Sequence, residues 1–217
     1  MGREERGNGE RGTGNGRREG PGPPSVVPVP HSPFPVPQQF LVDGETVHTL
    51  PDLIQPGIRL LFVGFNPSVR AARLGHYYAG RNNRFWDLLA ASGLTPRRFH
   101  FEEDRRLLEL GIGVTDLVKR PTRSAAEVTA AEYRDGVRRL RGIVAEIGPR
   151  VVCYNGKGVY LLASGLAAAP WGEQATRVAP GVTDFVVPSP SGLARIPFAE
   201  KARWYTELRT LMERMEG

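Results

Sequence analysis

Four short apolar runs, Leu60–Phe65, Ile112–Thr115, Val151–Tyr154 and Phe185–Val187, each stop at turn residues, and helical patterns lie between and after them. Runs this short and this apolar are what strands buried on both faces require. Phe85, Leu88 and Leu89 form one helical face that stops at Gly93. Thr129-Ala-Ala-Glu132 is a capping box, followed at helical spacing by Val137, Leu140, Ile143, Val144 and Ile147. Trp204, Leu208, Leu211, Met212 and Met215 mark the apolar face of a final helix. Strands alternating with helices predict an α/β fold, a mainly parallel sheet with helices on both faces.

Two of the strands end in polar loops about 120 residues apart: Arg59-Leu-Leu-Phe-Val-Gly-Phe-Asn-Pro-Ser68 and Phe185-Val-Val-Pro-Ser-Pro-Ser-Gly-Leu-Ala-Arg195. Loops at the carboxyl ends of parallel strands line the ligand crevice of an open α/β sheet, so these two are expected to face one site.

Composition divides the 217 residues unevenly. Residues 1–24 are mostly Gly, Arg, Glu, Asn and Pro, and positions 21–37 hold eight prolines. Residues 1–50 are therefore expected to be a disordered tail, and 51–217 the folded domain. Residues 1–50 carry five Arg against six acidic groups; the remainder carries 24 Lys plus Arg against 17 Asp plus Glu. The excess of seven positive charges belongs to the domain and points to a polyanionic partner. A solvated basic surface is the plainer alternative.

Cys153 is the single cysteine, so no disulfide framework, iron–sulfur cluster or cysteine zinc site is expected. His31, His48, His76 and His100 lack metal-ligand spacing. No 18-residue apolar stretch and no apolar leader occur, so the expectation is a cytoplasmic protein without a membrane partner, nucleoid-associated in a bacterium.

At Gly64-Phe-Asn-Pro-Ser68 the chain resembles the mismatch-specific (Mug and thymine-DNA glycosylase) branch of the uracil-DNA glycosylase superfamily. Three further segments carry the likeness in order: Gly75-His-Tyr-Tyr-Ala79 with Asn83-Arg-Phe-Trp86, Gly113-Val-Thr-Asp-Leu-Val118 with Arg120-Pro-Thr122, and Pro188-Ser-Pro-Ser-Gly-Leu-Ala-Arg195. The resemblance spans about 155 residues from Gly57. It implies a three-layer α/β/α sandwich around a short, mainly parallel sheet. It also implies a monomer that removes uracil, with thymine permitted, from G:U or G:T mispairs in double-stranded DNA. No cofactor or metal is implied.

The resemblance also assigns residues. Asn66 would place the attacking water, because an amide can hold a water in line although it is a poor base. Backbone donors around Gly64 and Phe65 would meet the oxygens of the leaving base, where charge develops. Tyr78 would stack on the extruded base, with Asn83 beside it, and Ala71 would leave room for a methyl group. Leu193, between Gly192 and Arg195, matches the family's wedge into the base stack. Arg195 would then reach the orphaned guanine or a phosphate. Ser189 stands where the fast uracil-specific branch has a His, which implies slower chemistry. Ser191 and Lys157 are candidate phosphate contacts.

Asp116 departs from the family, whose members carry Lys or Asn there, so the resemblance assigns it no role. It follows the second strand and could activate water or stabilise a cationic sugar. The alternative is an Asp paired with Lys119, Arg120 or Arg123, or capping the next turn. Two functional alternatives stay open as well. One is a glycosylase of this fold for another damaged base, such as hypoxanthine or ethenocytosine; the other is a non-catalytic DNA-binding domain.

Overall fold

The apolar runs form four strands of a five-stranded sheet in the computed structural model, which describes residues 1–2, 38–42 and 44–215. In chain order the strands are β1 (Gln39–Val42), β2 (Glu45–His48), β3 (Leu60–Gly64), β4 (Ile112–Asp116), β5 (Val151–Asn155), β6 (Gly172–Glu173) and β7 (Thr183–Val187). The helices are α1 (Val69–Leu74), α2 (Phe85–Ser92), α3 (Ala130–Ile147), α4 (Lys157–Ser164) and α5 (Phe198–Arg214). The sheet order is β4-β3-β5-β7-β6, parallel except for β6 at one edge.

Every residue of β3, β4, β5 and β7 is buried, because helices cover both faces. The two-residue period of a strand sorts their side chains. Leu60 and Phe62 point into a core shared with Leu88 and Leu89 of α2 and Tyr205 and Leu208 of α5. Leu61 and Val63 point the other way, into a core with Leu140, Ile143 and Val144 of α3 and Val159 and Tyr160 of α4. The expected three-layer α/β/α architecture is therefore what the chain adopts. The capping box at Thr129 forms, and Gly93 ends α2 in the left-handed conformation.

The boundary expected at residue 50 needs correction. β1 and β2 pair as an antiparallel hairpin, and Val47 and Leu50 are buried. Arg73 of α1 reaches Glu45 at 2.8 Å. The prolines upstream masked a local signal, an Asp43-Gly44 turn pair between two β-prone runs. The tail expected over residues 3–37 lies outside the described residues, as do 216–217.

Topology places the crevice. The chain leaves β3 for β4 on one side and returns to β5 on the other. Loops after β3 and β5 therefore diverge, opening a cleft at their carboxyl ends.

Candidate active site

A cleft of about 850 Å³ lies at that point, and residues from both polar loops line it. The loop after β3 is zipped to the loop after β4. Leu117 N–H donates to Gly64 O (2.9 Å), Val118 N–H to Phe65 O (2.9 Å) and Thr122 N–H to Pro67 O (3.2 Å). The Phe65 ring packs edge-on against Tyr133, and Phe65 also lines the cleft wall. Ser68 caps α1 by accepting from Ala71 N–H (3.1 Å), which sets the small Ala71 side chain in the wall.

Within this frame the Asn66 amide is oriented. Its Nδ2 donates both protons, to Arg120 O (2.9 Å) and to Thr122 Oγ1 (2.7 Å). Thr122 in turn donates to Ser124 O (2.9 Å). With the amide hydrogens committed, Asn66 can offer the cleft only its Oδ1, an acceptor able to hold a water or an imide N–H. The motif Arg120-Pro-Thr122 thus acts through Asn66, a role its sequence alone did not disclose.

Asp116 ends β4 beside Gly64 and faces the same cleft. A Cβ at position 64 would collide with the Asp116 carboxyl and come within 3.4 Å of the Tyr78 hydroxyl, so glycine is required where these groups converge. The expected alternative of a paired Asp116 does not occur. Among the described residues neither carboxyl oxygen has a hydrogen-bond or ion-pair partner; Lys119 pairs with Asp52 and Arg120 with Glu132. Burial raises the Asp116 carboxyl to about 7, and nearby Asp52 adds to the rise against the opposing pull of Lys119 and Arg139.

Tyr78 is held from three directions. Its ring stacks on Phe85 (3.8 Å between centroids, 24°), leaving one face for any ligand. Its hydroxyl accepts from Asn155 Nδ2 (2.6 Å), and Asn155 Oδ1 accepts from Tyr205 (2.9 Å). Its backbone sits at φ 53°, a conformation costly for a residue with a Cβ and sustained by these contacts. Asn155 had not been singled out, although it ends an apolar strand much as Asn66 follows one. Neighbouring Tyr77 is core: buried, with its hydroxyl accepting from Lys119 Nζ (3.1 Å). Asn83 lines the cleft, but its Oδ1 accepts from Phe85 N–H (3.0 Å) and so starts α2.

The loop after β7 forms the opposite rim. Ser189 Oγ accepts from Ser191 N–H (3.3 Å) and Ser191 Oγ from Leu193 N–H (3.2 Å), which leaves each hydroxyl proton available to a phosphate. Three ties fix the loop. Arg84 N–H donates to Pro190 O (2.9 Å), buried Lys201 donates to Ser191 O (3.0 Å), and Gly192 packs so close to Asn82 that a Cβ would clash. Lys201 was another omission, since nothing in its helix flags a buried ammonium. On this anchored loop Leu193 is 90 % exposed. Burying such a side chain is worth about 1.5–3 kcal/mol, so its exposure at a cleft rim fits a group that inserts into a partner.

Two expected residues stand apart. Lys157 opens α4 but does not line the cleft; its ammonium lies over the Trp171 ring at 4.5 Å. Arg195 is exposed beyond the leucine loop and does not line the cleft either.

The switch-point cleft of this doubly wound α/β sheet thus brings together an amide, a carboxyl and a clamped aromatic ring. Residues 51–210 match the Uracil DNA glycosylase superfamily, and the chain belongs to that family. Among solved structures it is similar to the solution NMR structure of a "putative Uracil DNA glycosylase" from Methanosarcina acetivorans. The two share 21 % identity at a TM-score of 0.53, over 78 % of this chain and 98 % of that one, a likeness of fold.

Proposed function

We propose that the protein is a monofunctional DNA glycosylase of the mismatch-specific type. It hydrolyses the N-glycosidic bond of uracil opposite guanine and leaves an abasic site. The observation that carries this is one cleft shared by the oriented Asn66 amide, the unpaired Asp116 carboxyl and the exposed Leu193. The reacting bond is inaccessible inside a duplex, so the nucleotide must be extruded. The base then stacks on the free face of Tyr78, and Leu193 fills the gap it leaves. Asn66 Oδ1 and the ionised Asp116 carboxylate hold a water below the anomeric carbon. As the base departs with the bonding electron pair, the water adds to the sugar cation and gives its proton to Asp116.

The three lysines support hydrolysis over a lyase step. Lys119 is held by Asp52 and Tyr77, Lys157 lies over Trp171 and Lys201 donates to Ser191 O. None presents an amine to the sugar. DNA as the partner is supported by a recess beside the leucine loop, lined by Arg81, Arg84, Arg98 and Lys201 with Asp87 as its one acid. Ala71 leaves space for the thymine methyl, so slower release of thymine from G:T is expected; one methyl changes discrimination by only about 1–3 kcal/mol. The cleft volume also leaves room for a bicyclic base, which favours hypoxanthine or ethenocytosine as the second reading.

Single-turnover release from duplexes bearing uracil, thymine, hypoxanthine or ethenocytosine opposite guanine tests the proposal. Uracil should be released fastest. Tight binding without release of any base would reassign the protein as a binding domain, and preference for a bicyclic base would establish the second reading. Leu193→Ala should slow release from duplex by about tenfold, the loss of a wedge worth 1–2 kcal/mol, while release from single strands changes little. Equal losses on both substrates would show that Leu193 does not fill the stack.

A further inference from the structure

Asp52 belongs to no polar loop of the cleft, yet it lies directly behind it. Leu53 bridges Val114 antiparallel, with both backbone hydrogen bonds at 2.9 Å. That register sets Asp52 beside Thr115, next to Asp116. Asp52 Oδ1 accepts from Thr115 Oγ1 (2.6 Å) and Lys119 Nζ (2.8 Å), and Oδ2 from Arg139 Nη1 (2.6 Å). Arg139 also donates to the backbone oxygen of Asp116. It reaches there because α3 passes close over Leu117 at Gly136, where a Cβ would strike the Leu117 carbonyl.

Two cations thus lie next to the catalytic carboxyl and both are spent on a different one. We propose that Asp52 is a positioning residue for base excision: by engaging Lys119 and Arg139 it keeps the Asp116 carboxyl unpaired and open to the water in the cleft. The inference rests on the role given to Asp116 above. Without Asp52, either cation could turn to Asp116 and convert a poised base into half of an inert ion pair.

Charged and titratable groups reach Asp116 from several elements, and Arg123 of the loop after β4 lines the same cleft. Asp52 disfavours its ionisation, whereas Lys119 from the loop after β4 and Arg139 from α3 favour it. Tyr77 and Tyr78, both influenced by Asp116, are raised well above the ordinary phenol value by burial and stay neutral throughout. Asp52 itself stays ionised: burial opposes its charge, but Lys119, Arg139 and the hydrogen bonds from Lys119 and Thr115 outweigh it, and its carboxyl lies below the usual range.

The test follows the titration of the Asp116 carboxyl by carbon-13 NMR on the full-length protein, alongside the pH profile of single-turnover uracil release. Asp52→Asn removes a negative charge and frees two cations. Both changes favour the carboxylate, so the Asp116 midpoint and the acidic limb of the profile should fall by about one unit or more. Lys119→Gln, which keeps a donor to Asp52, should move both upward. A purely structural ion cluster would lower stability and leave the midpoint in place. Unmoved Asp116 titration in the folded variants would overturn the proposal, and if Asp52→Asn fails to fold, the Lys119→Gln shift decides. The NMR titration does not depend on activity. An acidic limb that survives in Asp116→Asn would instead refute the catalytic role of Asp116, leaving the tuning by Asp52 to be judged from the spectra.

Discussion

Asn66→Ala should lower single-turnover release of uracil from a G:U duplex by on the order of 10² or more, with duplex affinity nearly unchanged. The size is that of removing a group which positions or stabilises at the reacting centre. In the proposed mechanism so small a side chain would carry much because the structure orients it in advance. Two donated hydrogen bonds, to Arg120 O and Thr122 Oγ1, settle which end of the amide meets the cleft. An acceptor fixed in advance loses no entropy when water or base arrives. Alanine leaves the cleft intact but the water free to tumble. A loss below about threefold would show that Asn66 serves only the loop, by tying it to the segment after β4.

Asp116→Asn should have two effects of opposite sign. Release should fall by at least about 10², the range for removing a general base, and the rise in rate through about pH 7 should flatten, because in the proposed mechanism the ionised carboxyl is the active form. Stability should increase. The folded carboxyl titrates at about 7 and the ordinary value is 3.8, so between these values the folded state holds a proton that the unfolded chain has lost. Stability from this group therefore falls as pH rises from about 4 to 7 and stays low above that. A shift of this size bounds the cost at roughly 4 kcal/mol, and a gain of about 1–3 kcal/mol in the Asn variant is expected. Thermal melts at pH 8 should show a Tm raised by several degrees, and the gain should fade toward pH 4. A variant that is slower but no more stable at pH 8 would mean that Asp116 is not held at a cost to the fold. Unchanged turnover would remove it from the chemistry.

The apolar strands were plain in the sequence because burial on both faces leaves them few polar positions, and those sit at strand ends. The helices α2, α3 and α5 were equally plain, because each has a one-sided apolar stripe, bounded in α2 by a stop glycine and in α3 by a capping box. The hairpin at residues 39–48 was not, since a proline-rich neighbourhood outweighed a two-residue turn signal. Asn66, Tyr78 and Leu193 could be named from motifs, and the cleft holds all three. Asn83 could be named but not understood, because its hydrogen bond from Phe85 N–H depends on where α2 starts.

What the chain alone determined is the alternation of buried strands and amphipathic helices, hence the layered sheet and the end of it where polar loops gather. These follow from periodicity, which is local. The partners of each polar group were decided only in three dimensions. Asp52, 64 residues before Asp116, pairs with Lys119 and Arg139, the two cations that act on the Asp116 carboxyl. Tyr78 is clamped through Asn155 by a tyrosine from the last helix. A buried charge or amide takes the partner that packing brings within 3 Å, and distance along the chain carries no information about that choice.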